Sequence, residues 1–178
     1  MIKQAYQKRV YHVEAMHPGE VSNIEYYIDE DENEQAIIAL YADKGFDLSL
    51  VKRNIFGDKT WEYVRNHTEG RLFFISNLLL DRFGKALCYQ PVNLITGLPI
   101  VKKTTKYFYN YRDYDPEFGH QVLFEATYNS EGSLKYIHYR PDPFNEQDNE
   151  SFYNFKDLQA LFNEDLSYYK TADFFKKQ

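Results

Sequence analysis

The chain has one cysteine, one tryptophan, few glycines and prolines, and no long apolar run. Each scarcity excludes something. A lone Cys88 allows neither an internal disulfide nor a cysteine-based zinc site. It sits in the apolar stretch Ala86-Leu87-Cys88-Tyr89 with no basic neighbour in sequence, so an inert buried thiol is expected rather than a nucleophile. The longest apolar stretch, residues 72–80, spans nine positions and is broken by Ser76 and Asn77. A bilayer crossing needs about 20, so this is a core segment and no membrane partner is expected. The N-terminus is basic without an apolar stretch behind it, and no secretory signal is read there. Together these features predict a protein of the reducing cytoplasm.

What is abundant is aromatic: 17 Tyr and 14 Phe in 178 residues. Aromatic and β-branched side chains favour pleated, half-buried surfaces, so the class tilts toward β. The length suits one domain, taken as residues 1–178. A hydrophobic fraction of 43% is enough for a core.

Charge is segregated along the chain. Residues 21–43 carry seven carboxylates and no Lys or Arg, whereas residues 44–111 carry eleven basic groups against five acidic. Residues 112–150 are acidic again, with nine carboxylates against three basic groups. Acidic blocks of this kind either populate solvated turns or steer a basic partner. Direct nucleic-acid binding is disfavoured by repulsion from phosphates.

Residues 21–28 and 35–41 read as two strands joined by a wholly polar loop, a hairpin signal. Asp47 then reads as the cap of a short helix with Leu48, Val51 and Ile55 on one face and Gly57 beyond its end. Residues 60–65 read as a strand, with a helix over 58–66 as the competing assignment, turning at 67–70 into a strand over 71–75. Turns at 81–84, 115–119 and 129–132 each begin with Asp or Asn and end on glycine. Between them lie strands over 104–111, 122–128 and 134–139, the last two forming the clearest hairpin. Asn154 reads as an N-cap with Asp157 three residues on. Phe155, Leu158, Leu161, Phe162, Leu166 and Tyr169 then recur at helical spacing. The fold class that follows is α+β: a curved, mainly antiparallel meander of about seven to nine strands, with a helix over 155–169 packed on it.

Motifs of chemistry are sparse. Asp29, Asp31 and Asn33 match the opening of a calcium loop, but Glu34 replaces the turn glycine and Leu40 the bidentate glutamate. His12, His17, His67, His120 and His138 form no ligand-spaced pair, and His67 and His120 read as turn residues. No nucleophile elbow, phosphate loop or dinucleotide fingerprint occurs. No catalytic residue, metal ligand or cofactor is therefore assigned. Tyr107, Tyr109 and Tyr111 alternate with Phe108, which places the tyrosines on one face. They line either the solvent edge of the core or a binding platform.

The acidic loop Asp29, Glu30, Asp31, Glu32 and Glu34, the segment Tyr109, Tyr111, Asp113, Tyr114, Asp115 and Glu117, and the lack of catalytic motifs give the chain a profile. It resembles the immunity proteins of contact-dependent inhibition and other polymorphic toxin systems. The resemblance covers the chain in style and no motif in detail. It implies a cytoplasmic, non-catalytic module that binds a basic partner, commonly a toxin nuclease domain, through those acidic and tyrosine residues. The alternative is a small-molecule binder or enzyme with a tyrosine-lined pocket, and a third is a self-assembling structural component.

Overall fold

In the computed structural model, residues 11–14, 21–109, 111, 121–140, 150–152, 156 and 165–175 are described. The hairpin expected at 122–139 is present: β8 (Val122–Tyr128) and β9 (Leu134–Tyr139) pair antiparallel across the 129–132 turn. In that turn Asn129 Oδ1 accepts from the Glu131 and Ser133 amides, at 3.1 and 2.9 Å. Before it in the chain run β4 (Lys59–Thr68), β5 (Arg71–Leu80), β6 (Ala86–Val92) and β7 (Thr105–Tyr109). With β1 (Tyr11–Glu14), β2 (Val21–Tyr27), β3 (Asp47–Phe56) and β10 (Glu150–Phe152), ten strands among the described residues lie side by side in chain order. Only β2 and β3 pair parallel; the other neighbouring pairs are antiparallel. The expected antiparallel meander is the dominant feature.

The parallel pair corrects two expectations. Residues 35–41 are not a strand but part of helix α1 (Glu34–Asp43). Asn33 caps it by accepting from the Ala36 amide at 3.1 Å, and Glu34 lies in the first turn, where the helix dipole favours an acid. At its end the Phe46 amide reaches Tyr41 O and the Gly45 amide reaches Ala42 O, with Gly45 at φ +74°. This six-to-one and five-to-two pair is a Schellman stop. Residues 48–55, expected as a short helix, are strand β3. Asp47 does not cap a helix there; its side chain accepts from Thr68 Oγ1 across to β4 at 2.8 Å. The competing helix over 58–66 is excluded by the continuous β4 ladder. His67 lies within β4 and is buried, not in a turn.

Cross-strand register carries one face of the sheet from Leu50 through Arg65 and Ile75 to Val92. Four residues back along β6, Cys88 continues the same face through Lys106 and Ala126 to Ile137. Two covers lie on this face. Helix α1 buries Ile38 against Ile24, Tyr26, Leu48 and Leu50, with Ile37, Tyr41 and Phe46 at the rim. Residues 165–175 bury Leu166, Tyr169 and Ala172 against Phe124, Ala126, Tyr128 and Ile137. Of the helix expected over 155–169, most lies outside the described residues. Within it Lys156 has helical backbone, and Ser167–Lys170 form a 3-10 turn. Among the described residues no helix is long and apolar enough to cross a membrane.

Candidate functional site

The acidic loop leaves β2 at Tyr27 and runs into the N-terminus of α1, and its carboxylates divide into two sets. Glu32 and Glu34 hold the loop in place. Tyr26 Oη donates to Glu32 Oε1 at 2.7 Å, and the Asp29 amide donates to Glu32 Oε2 at 3.0 Å. Glu34 forms an ion pair with Arg65 of β4. Asp29, Glu30 and Asp31 are exposed. The loop, α1 and strands β3 and β4 enclose an open cleft of about 150 Å³ lined by Ile28, Asp29, Glu30, Glu32, Glu34, Lys52 and Arg65. Arg65 Nε is buried beneath the ion pair without a protein partner. Nearby His67 is 5% exposed, and burial, with the Arg65 charge second, holds its pKa below the ordinary value.

The tyrosine segment lies elsewhere. Strands β2 and β7 are five places apart in the sheet order, roughly 24 Å along the sheet at ordinary strand spacing. Tyr109 is buried, its hydroxyl donating to Ala86 O at 3.0 Å, and burial pushes its pKa up to about 12. Tyr111 is exposed, its hydroxyl donating to Asp81 and its ring 5.9 Å from that of Phe83. A bulge between Phe108 and Tyr109 breaks the simple alternation. Phe108 packs inward, its ring stacked on Phe124 at 4.9 Å. Asp113, Tyr114, Asp115 and Glu117 lie outside the described residues. The two halves of the expected partner surface are therefore not brought together by the described residues.

Two further polar groupings escape a reading by residue spacing. On the sheet face opposite the two covers, Glu125 stands opposite both Tyr107 and His138 and pairs with Arg140 at 3.2 Å. Burial, then the Glu125 charge, raises the Tyr107 pKa. Also on that face, Arg53 donates to the buried Glu62 through Nε at 2.7 Å and packs over the Tyr27 ring at 4.2 Å. Period-two alternation puts these residues on one face, but only the register shows which of them meet. No cluster of three or more metal-ligating side chains fit to hold an ion occurs among the described residues.

No family model, no curated protein and no solved structure matches the chain.

Proposed function

We propose that the chain is a non-catalytic module that binds a basic protein in the cytoplasm, in the manner of an immunity protein blocking a cognate toxin domain. The outward half of the acidic loop is its contact point. The observation that carries this reading is the division of labour in the loop. Glu32, Asn33 and Glu34 use their side chains to fix its backbone, which leaves Asp29, Glu30 and Asp31 exposed on a preorganised support. A loop already held in shape loses little entropy when it binds. Three adjacent carboxylates steer a positively charged partner and set the register of the encounter.

The experiment compares the immobilised wild-type chain with Asp29→Asn/Glu30→Gln/Asp31→Asn in extracts of the source organism at low salt. A basic protein should be retained by the wild type, released as salt rises, and lost from the variant. Retention of the same proteins in equal amounts by both chains overturns the reading. Glu32 and Glu34 are left intact because their loss would disturb the loop itself.

The row Tyr107, Glu125 and His138 favours a second reading, a small-molecule binder that stacks a ring on tyrosine and hydrogen-bonds to the carboxylate. It expects stabilisation of the chain by neutral sugars or nucleosides in a thermal-shift panel, reduced by Glu125→Gln. A flat panel ends it.

A further inference from the structure

A helix satisfies its own backbone, but residues 165–175 form only a four-residue 3-10 turn, Ser167–Lys170, and a short tail. Their buried carbonyls need donors from outside. The sheet supplies them from three adjacent strands. Lys106 Nζ of β7 donates to Tyr168 O at 2.6 Å and Thr171 O at 2.8 Å. Tyr128 Oη of β8 donates to Tyr169 O at 2.9 Å, and Gln90 Nε2 of β6 donates to Ala172 O at 3.3 Å. All three donors are buried, Lys106 completely. In return the Ala172 amide donates to Gly132 O at 2.8 Å.

This floor is built to read main chain. Its donors meet carbonyl oxygens, and the apolar positions Phe124, Ala126 and Ile137 beside them receive Leu166 and Tyr169. The lysine is an unusual choice for a static core. Its ammonium lies 3.7 Å from the centre of the Tyr168 ring and bonds backbone carbonyls. A charge whose hydrogen-bond partners are uncharged costs more to bury than an apolar side chain of the same length, with Asp173 of the strap offsetting part of that cost. The strap is also attached by side-chain donors and one isolated bridge, Ser133 to Thr171, where the strands share continuous ladders. Such a unit opens more easily than the sheet beneath it.

We propose that residues 165–175 are a displaceable strap that occupies, in cis, a groove for peptide main chain, with Gln90, Lys106 and Tyr128 as its floor. The groove is separate from the acidic loop, so the two proposals stand or fall independently.

The single cysteine is a built-in reporter. Cys88 is fully buried, stands opposite Lys106 in the register and contacts the Tyr168 side chain under the strap. Its labelling by Ellman's reagent in the native full-length chain reads strap opening. At low urea the labelling rate should be nearly independent of urea, because a local opening exposes little surface. Leu166→Ala should raise the rate about tenfold or more, and Tyr128→Phe, which removes one donor, about fivefold. A synthetic peptide of residues 165–175 in excess should slow labelling of Leu166→Ala, and a scrambled peptide should not. Labelling that follows global unfolding, with the same urea dependence in all three chains, overturns the strap. Labelling that is local but unaffected by the peptide overturns the groove.

Discussion

The two covers on one face of the sheet solve the same burial problem by different means. Under α1 the sheet presents Ile24, Tyr26, Leu48 and Leu50, and the helix answers with Ile38 and its apolar rim. Because α1 closes its own hydrogen bonds and is capped at both ends, only an apolar stripe is required of it. Under the strap the sheet presents apolar residues too, but interleaved with Gln90, Thr104 and Lys106, all buried. Gln90 bridges Thr104 Oγ1 and Ala172 O, and Lys106 separately reaches Tyr168 O and Thr171 O. A regular cover thus needs no donors from the sheet for its own backbone, although Arg65 and the buried His67 lie beside it on the same face. An irregular cover imports polar groups into the sheet, and those groups carry the sensitivity to pH and opening.

The largest effects test whether apolar packing still dominates in both halves. Phe124→Ala is expected to cost about 3–5 kcal/mol and Leu50→Ala about 2–5 kcal/mol in urea unfolding. Phe124 is fully buried, stacks on Phe108 and meets Tyr169 edge-on at 5.0 Å, so its loss strips both sheet and strap. A cost for Phe124→Ala below about 1 kcal/mol, outside the range for buried aromatics, would mean that hydrogen bonds alone hold that half.

The next effect is smaller and depends on pH. Burial lowers the Lys106 pKa from 10.5 to about 8, with Cys88 and Asp173 opposing the shift. Tyr128 and Tyr168 also face the ammonium and are themselves raised by burial. Between about pH 8 and 10.5 the unfolded chain holds the lysine proton and the folded chain releases it, so this group's contribution to stability rises with pH. Cys88, pushed up from 9.0 to about 11, works the other way from about pH 9 upward. Comparing wild type with Lys106→Met at each pH cancels most of the cysteine contribution. The wild type should gain on the variant by up to roughly 3 kcal/mol across the window, and the difference between them should be constant below about pH 7.5. A constant difference from pH 6 to 10 would show that Lys106 is solvated in the folded state.

How much of this was legible in the sequence follows the same division. Strands β8 and β9 were readable to the residue because alternation and the Asn129–Gly132 turn agree. Helix α1 reads as a strand because a short run such as Ala36-Ile37-Ile38-Ala39-Leu40-Tyr41 fits either period. Its decisive signals lay outside the run, in Asn33 before it and in Gly45 followed by Phe46 after it. Residues 48–55 read as a helix on apolar spacing alone, although Val51 and Ile55 are β-branched. The exposed carboxylates of the acidic loop were legible as charge, yet nothing local distinguished Glu32 and Glu34, whose partners Tyr26 and Arg65 come from other elements. The donors under the strap were invisible for the same reason: Lys106 lies 62 and 65 positions from its acceptors on Tyr168 and Thr171, and only the packing of the strap on the sheet brings them together.

The smallest effect isolates the helix half. Gly45 ends α1 at φ +74°, and a Cβ added there meets nothing within 4 Å. Gly45→Ala therefore carries backbone strain without a clash, and a cost of roughly 1 kcal/mol is expected. That loss should appear in the urea midpoint and in faster amide exchange over residues 34–43. It should leave Cys88 labelling at low urea unchanged, because α1 and the strap cover separate stretches of the face. An equal acceleration of Cys88 labelling would mean that the two covers open together and that the sheet transmits the loss of one to the other.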